Sequence, residues 1–138
     1  MNFNQADVTT HRLFRQFSKE TGVNNLSVNQ KNSRFHCSLI EALILFIERE
    51  IKEELTLDYL ATTIGYSAGH LRRSFKMVKG ISLAKYIRRR KTECAANEII
   101  MSSRFIVDIA VEYGFSSQAS FSRTFKSVTG VTPKEYRV

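Results

Sequence analysis

The chain has 138 residues, of which 43% are apolar, and carries a formal charge of +8. This length supports one compact domain or two small ones, and a single Pro with six Gly argues against a loop-rich all-β fold. The first ten residues, MNFNQADVTT, lack the basic and apolar regions of a signal peptide, and no apolar run is long enough to span a bilayer. We therefore expect a cytoplasmic protein with no membrane association, in which the two cysteines stay reduced.

The charges are arranged in blocks along the chain. Residues 59–92 contain nine Lys or Arg and no Asp or Glu, and residues 115–138 carry a net +3. The segments 41–58 and 93–114 are acidic, with net charges of −4 and −3. Basic blocks of this kind usually face a polyanion, either nucleic acid or an anionic membrane, although an ordinary solvated surface is the alternative.

Residues 1–36 are rich in Asn, Gln, Ser and Thr, and predict a flexible N-terminal arm with at most one weak helix near Leu13 to Phe17. The folded domain is predicted over residues 37–138. Ser38 and Glu41 have the spacing of a capping box, which predicts that the first helix begins there. Apolar residues then recur at helical intervals at Ile40, Leu43, Ile47 and Ile51.

Three more helices are predicted before residue 103. Thr56 opens a short helix that ends at Gly65, and Ser67 caps another that runs to about Lys79. The first helix-turn-helix unit is therefore expected over about residues 38–81. Ser82 precedes the longest helix, a linker over about residues 83–102.

The pattern then starts again, over about residues 105–137. A short helix after Phe105 ends at Gly114, and Ser117 caps a helix that runs to about Thr129. Pro133 lies at the first position of a last short helix. No strand-like alternation is present, so the predicted fold is all-α, with about seven helices in two helix-turn-helix subdomains joined by a long central helix.

The two halves align as copies of one unit. The offset is 49 residues up to the turn, where Tyr66 corresponds to Phe115, and 50 residues beyond it, where Arg73 corresponds to Arg123. In each copy the second helix has an apolar stripe that predicts a core face. The opposite face presents Arg73 and Lys76 in the first copy, with Arg72 at its edge, and Arg123 and Lys126 in the second. A cationic helix face of this width suits the major groove of DNA, where Arg pairs with guanine and Gln with adenine.

The two copies carry a resemblance to a known family. LATTIGYSAGHLRRSFKMVKGISLAKYIRRRK and DIAVEYGFSSQASFSRTFKSVTGVTPKEYR resemble the DNA-binding domain of AraC/XylS-type transcription regulators over about residues 38–137. The short chain is most similar to the small stand-alone, MarA/SoxS-like members. The resemblance implies activation of transcription through RNA polymerase. The linker helix of about 20 residues is roughly 30 Å long. One turn of DNA is about 34–36 Å, so we predict that a monomer reads two successive major grooves of double-stranded DNA.

The resemblance also implies which side chains contact bases. They are Arg72 and Arg73 in the first unit, and Gln118, Ser120, Ser122 and Arg123 in the second. The small members often have Trp where this chain has Gly69, and a second Gln where it has Ala119. These departures bear on which sequence is read. The four basic residues from Arg88 to Lys91 surround the linker helix, so some should reach phosphate and others should hold the acidic helices.

Other kinds of site find little support in the sequence. His36 and Cys37 are adjacent and point about 100° apart on a helix, and no His has a partner at metal-ligand spacing, so we predict no metal and no cofactor. No phosphate loop, catalytic triad or paired carboxylates are present, which predicts that the protein is not an enzyme. The alternative function is a helical protein-interaction module that binds RNA polymerase or another regulator and has weak DNA affinity.

Overall fold

The computed structural model describes the backbone of residues 28–138 and the side chains of residues 37–138. This part of the chain contains seven α-helices and no strand, which confirms the predicted all-α fold. The helices are α1 (Val28–Arg49), α2 (Leu57–Ile64), α3 (Ala68–Lys79), α4 (Leu83–Met101), α5 (Ile106–Glu112), α6 (Gln118–Thr129) and α7 (Pro133–Arg137).

The start of the first helix differs from the prediction. Helix α1 begins at Val28, ten residues before Ser38, so the prediction that Ser38 caps this helix is wrong. A capping box joins residues three apart, but residues three apart are also neighbours in the middle of a helix. The spacing of Ser38 and Glu41 therefore fits the interior of a helix as well as its start. The helix thus includes residues 28–36, which the sequence assigned to the arm, while Leu13 to Phe17 lie outside the described residues.

The described residues form two compact units. The first comprises residues 28–49 and 55–83, and the second comprises residues 50–54 and 84–138. Each unit contains one helix-turn-helix, formed by α2 and α3 in the first and by α5 and α6 in the second. Helix α4, predicted as the linker, belongs to the second unit from Ala84 onward.

The core of the first unit lies between α1 and the helix-turn-helix, because α1 packs against both α2 and α3. The side chains of Leu43, Ile47, Leu60, Leu71 and Phe75 are fully buried. Burial of each such side chain stabilises the fold by about 1.5–3 kcal/mol. Helix α3 is therefore held in place by the face that carries Leu71 and Phe75, and its opposite face is exposed to solvent.

The core of the second unit includes a row of aromatic rings beside buried aliphatic side chains such as Ile99 and Ile109. Phe121 lies between Phe115 and Phe125, with ring centroids 4.9 and 5.5 Å away, and Tyr136 of α7 meets Phe125 edge-on at 5.2 Å. Edge-to-face pairs are favoured over a direct face-to-face sandwich. Helix α6 is thereby held between α5 and α7, again by one face only.

Candidate nucleic-acid interface

The two helix-turn-helix turns repeat the same hydrogen bonds. The backbone N–H of Tyr66 donates to the carbonyl of Ala61 at 2.9 Å, and that of Phe115 donates to the carbonyl of Ala110 at 3.0 Å. Gly65 and Gly114, which directly precede these donors, have φ angles of 76° and 82°, a conformation that Gly adopts without steric cost. The second turn then has one extra residue, Ser116, which explains why the offset between the copies changes from 49 to 50.

The second helix of each unit begins and ends in the same way. The Ser67 hydroxyl accepts a hydrogen bond from the His70 N–H at 3.1 Å, and the Ser117 hydroxyl accepts one from the Ser120 N–H at 3.0 Å. These caps satisfy donors that a helix start leaves without a partner, so α3 and α6 begin where the sequence predicts. Both helices end at a Gly in the left-handed conformation, Gly80 and Gly130.

Helix α3 presents the predicted basic face to solvent. The side chains of Arg72, Arg73 and Lys76 are exposed, while Leu71 and Phe75 are fully buried on the other side. Among residues 37–138 none of the three cations forms a salt bridge with a carboxylate. Their charge is therefore available to a ligand.

Gly69 affects where Arg73 lies. A Cβ atom added at Gly69 would stand 3.2 Å from Nη1 of Arg73, so the guanidinium of Arg73 folds back over the space that a side chain would fill. The guanidinium is the far end of a flexible side chain and could move away from a substituent at low cost. Gly69 thus leaves Arg73 more conformational freedom than a larger residue would.

Helix α6 presents the matching face in the second unit. Gln118, Arg123 and Lys126 are exposed, and Ser120 and Ser122 are half-buried at the flanks of this face. Ala119 is exposed near its centre and offers no hydrogen-bonding group. The structure thus places the predicted residues of each copy together on one helix, with three of them in the first unit and five in the second.

The basic residues of the 59–92 block do not share one role. Lys79 pairs with Glu41 of α1, with 2.6 Å between Nζ and Oε1, and so links two helices of the first unit. Arg89 and Arg90 both pair with Glu93 on their own helix. These three cations are at least partly neutralised by carboxylates.

Lys91 supports the fold. Its Nζ donates to the carbonyls of Ile51 and Glu53, both at 2.7 Å, and so holds the segment 50–54 against α4. Burial lowers the pKa of Lys91. Of the four basic residues from Arg88 to Lys91, only Arg88 has no carboxylate or carbonyl partner for its side chain among residues 37–138.

A polar network that sequence analysis did not find holds the second unit together. Lys52 Nζ lies 3.0 Å from Glu98 Oε1 and 2.7 Å from Glu112 Oε1. Arg104 Nη1 lies 3.1 Å from Glu98 Oε2 and 2.6 Å from Glu112 Oε2. The Tyr113 hydroxyl donates to Glu98 at 3.0 Å. The network joins the segment 50–54, α4 and α5, and the only sequence signal for it was Lys52 and Arg104 inside acidic blocks.

The network shifts the pKa values of its members. Hydrogen bonds from Lys52 and Arg104 lower the pKa of Glu112, and the same contact with Glu112 raises the pKa of Lys52. Burial, together with the hydrogen bond to Glu98, raises the pKa of Tyr113 to about 12. At neutral pH Glu112, Lys52 and Arg104 are therefore charged, and the tyrosine keeps its proton.

A basic groove lies beside α6 and was also missed by sequence analysis as a site. It has a volume of about 540 Å³ and is lined by three cations of α4 and by one flank of α6. The lining residues are Lys85, Arg88, Arg89, Arg123, Thr124, Ser127 and Val128. Arg123 therefore borders both the exposed face of α6 and this groove.

Two absences concern only the described part of the chain. None of its helices combines the length and the apolar character that crossing a membrane requires. It also contains no group of three or more His, Cys, Asp or Glu side chains arranged to hold a metal ion.

The chain is similar in sequence to a known protein family. A family model described as a helix-turn-helix domain matches residues 60–138. The Tn10 TetD protein of Escherichia coli is 40% identical over 114 residues, which cover 83% of each chain. The transcriptional activator AarP of Providencia stuartii is 37% identical, over 82% of this chain and 84% of AarP. The regulatory protein SoxS of Salmonella typhimurium is 39% identical, over 74% of this chain and 95% of SoxS.

Solved structures agree with these relatives. An AraC-type transcriptional regulator from Chromobacterium violaceum is 33% identical, with a TM-score of 0.65 over 69% of this chain and 85% of its own. The DNA-binding domain of AdpA, solved with a target DNA, has a TM-score of 0.67 over 71% of this chain and 88% of its own. At 18% identity that match shows the fold alone.

Fold, relatives and matched basic faces together define a helix-turn-helix transcription regulator that binds DNA. The chain belongs to the AraC-type family, among the small MarA/SoxS-like regulators, as its sequence predicted. This family is one of transcription regulators and is not a class of enzymes.

Proposed function

We propose that this protein regulates transcription by binding specific sequences of double-stranded DNA through α3 and α6. The observation that carries the proposal is the repeated arrangement of two helix-turn-helix units, each with a solvent-exposed basic face opposite a buried one. The base contacts come from Arg72 and Arg73 on α3 and from Gln118, Ser120, Ser122 and Arg123 on α6. Lys76 and Lys126 bind DNA beside them.

The same chain binds as a monomer and reads two successive major grooves. Helix α4 has 19 residues, which at 1.5 Å per residue make a helix roughly 30 Å long. Successive major grooves on one face of DNA are about 34–36 Å apart. The two units of one monomer then require an asymmetric site, and a regulator of this kind acts in the cytoplasm, where bacterial DNA lies.

Selection of bound sequences from a random duplex library, followed by titration at several salt concentrations, tests the proposal. Each phosphate that a cation neutralises contributes about −0.9 to the slope of log K against log salt. We expect enrichment of one sequence and a negative slope of several units. Enrichment of no sequence, with a slope near zero, would favour the alternative of a protein-interaction module with weak DNA affinity.

We also propose that the protein activates transcription by contacting RNA polymerase. The relative AarP is named as a transcriptional activator. The second unit exposes large apolar side chains, with Met101 84% and Phe105 75% exposed. Phe105→Ser should then keep DNA affinity and reduce transcription from a template that carries the selected site, while Leu45→Ser in α1 should change neither. Reduced transcription on addition of the wild-type protein would contradict activation.

A further inference from the structure

The groove beside α6 combines cations with hydroxyl groups. Arg88 and Arg89 follow Lys85 by three and four residues, so both are its neighbours on one face of α4. Thr124 and Ser127 contribute hydroxyls from the flank of α6. All of these residues belong to the second unit, so the groove does not depend on where the first unit lies.

The position of the groove relative to the exposed face of α6 indicates what it binds. At 100° per residue, Thr124 and Ser127 lie on one flank of α6, next to the face that carries Arg123. A helix that enters a major groove has a sugar-phosphate strand along each flank, and Arg, Lys, Ser and Thr side chains are among the groups that contact phosphates. The charge and hydroxyl content of the groove match a phosphodiester backbone.

Among the cations that α4 contributes to the groove, Arg88 is the most available for such a contact. It is exposed, and no carboxylate pairs with it among residues 37–138. Arg89, its neighbour in the groove, keeps one nitrogen 3.0 Å from Glu93. A phosphate near Arg88 would therefore meet a charge that the protein does not already neutralise.

We propose that this groove binds the phosphate backbone of the DNA strand beside α6, with Arg88 as its principal cation and Thr124 and Ser127 as neutral donors. The inference rests on the proposed function and adds to it a division of labour within the second unit. Arg123, at the border, reads bases, while Arg88 fixes the position of the helix on the duplex and carries no sequence information.

The experiment compares Arg88→Gln with Arg123→Gln in the full chain, on the selected duplex and on a random one. Arg88→Gln should weaken binding to both duplexes by the same factor and make the salt slope less negative by about one unit. Arg123→Gln should reduce the ratio of the affinity for the selected duplex to the affinity for the random one. Lys134→Gln is the matched control, since it removes an exposed cation that does not line the groove and should leave the slope unchanged.

The outcomes separate the groove from the proposed function. If the wild-type protein binds neither duplex, the DNA-binding function fails. If it binds and Arg88→Gln keeps the same affinity and slope, only the groove proposal fails, and a loss confined to the selected duplex would make Arg88 a base reader. Inorganic phosphate at constant ionic strength should leave the Tm of the wild-type protein and of Arg88→Gln unchanged. A rise in Tm of the wild type alone would contradict the proposal and assign the groove to a free anion.

Discussion

At the scale of single residues, the surroundings of a cation decide its role more than its place in the basic block. Arg73 and Lys79 lie in the same helix, yet Lys79 is paired with Glu41 while Arg73 has no salt bridge among residues 37–138. An exposed cation without a partner loses little when it binds a ligand, whereas a paired one must first leave its carboxylate. For this reason we assign Lys79 to the stability of the first unit, and we assign base contacts to cations that have no carboxylate partner.

Alanine substitutions of Arg73 and Arg123 test this assignment. We expect each to cost roughly 1–3 kcal/mol of binding free energy on the selected site and to relax specificity at one end of it, because each Arg pairs with a base. Titrations against single-base variants of the site measure the effect, with Lys134→Ala as the control for loss of one positive charge. An equal loss on every sequence would show that the two Arg residues contact phosphate.

At the scale of helices and segments, buried faces fix α3 and α6, while a polar network links the segment 50–54 to α4 and α5. Lys52 and Arg104 each bridge Glu98 of α4 and Glu112 of α5. Ion pairs that are partly exposed contribute modestly one at a time, and a network with shared partners contributes more. The network also makes the stability of the second unit depend on pH.

The sign of this dependence follows from Glu112, whose pKa in the folded protein lies below its ordinary value of 4.5. Its contribution to stability is therefore fully present above about pH 4.5 and is lost as the pH falls through the folded pKa. We expect Glu112→Gln to unfold at lower urea concentration than the wild type at pH 7, and the difference to shrink below pH 4. Glu54→Gln, which removes an exposed carboxylate of the segment 50–54, is the control. A difference that is constant from pH 7 to pH 3 would contradict the network's role.

At the scale of the whole molecule, the duplication determines what kind of site the chain can bind. If both units read DNA as proposed, a monomer needs no two-fold symmetric sequence, unlike a dimer of single helix-turn-helix units. Because the two units belong to one chain, their covalent connection limits the distance between the two half-sites. Affinity should thus depend on their spacing.

Insertion of five base pairs between the half-sites tests this dependence. Half a turn rotates one half-site to the opposite face of the duplex, and bending that could compensate costs several kcal/mol, so we expect tight binding by the monomer to be lost. A full-turn insertion should not restore it, because a helix cannot lengthen. Band-shift titrations with the mass of the complex measured provide the readout. Unchanged affinity after the half-turn insertion would mean that only one unit reads DNA.

The sequence alone determined the features that depend on residues close together in the chain. The caps at Thr56, Ser67 and Ser117 and the ends at Gly65 and Gly80 were all predicted, because a cap bonds to groups within about one helical turn. The duplication and the family followed from the same local patterns. The start of α1 was missed, since a capping-box spacing also occurs within a helix.

Only the tertiary structure decided which charges are available and which hold the fold. Lys52 pairs with Glu112, 60 residues away in the chain, and Lys91 binds carbonyls about 40 residues away. No local pattern records such contacts, because they form when packing brings distant segments together. Arg88 and Lys91 look alike in RRRK, yet their side chains have different surroundings. One is exposed at the groove and the other is bound to the segment 50–54.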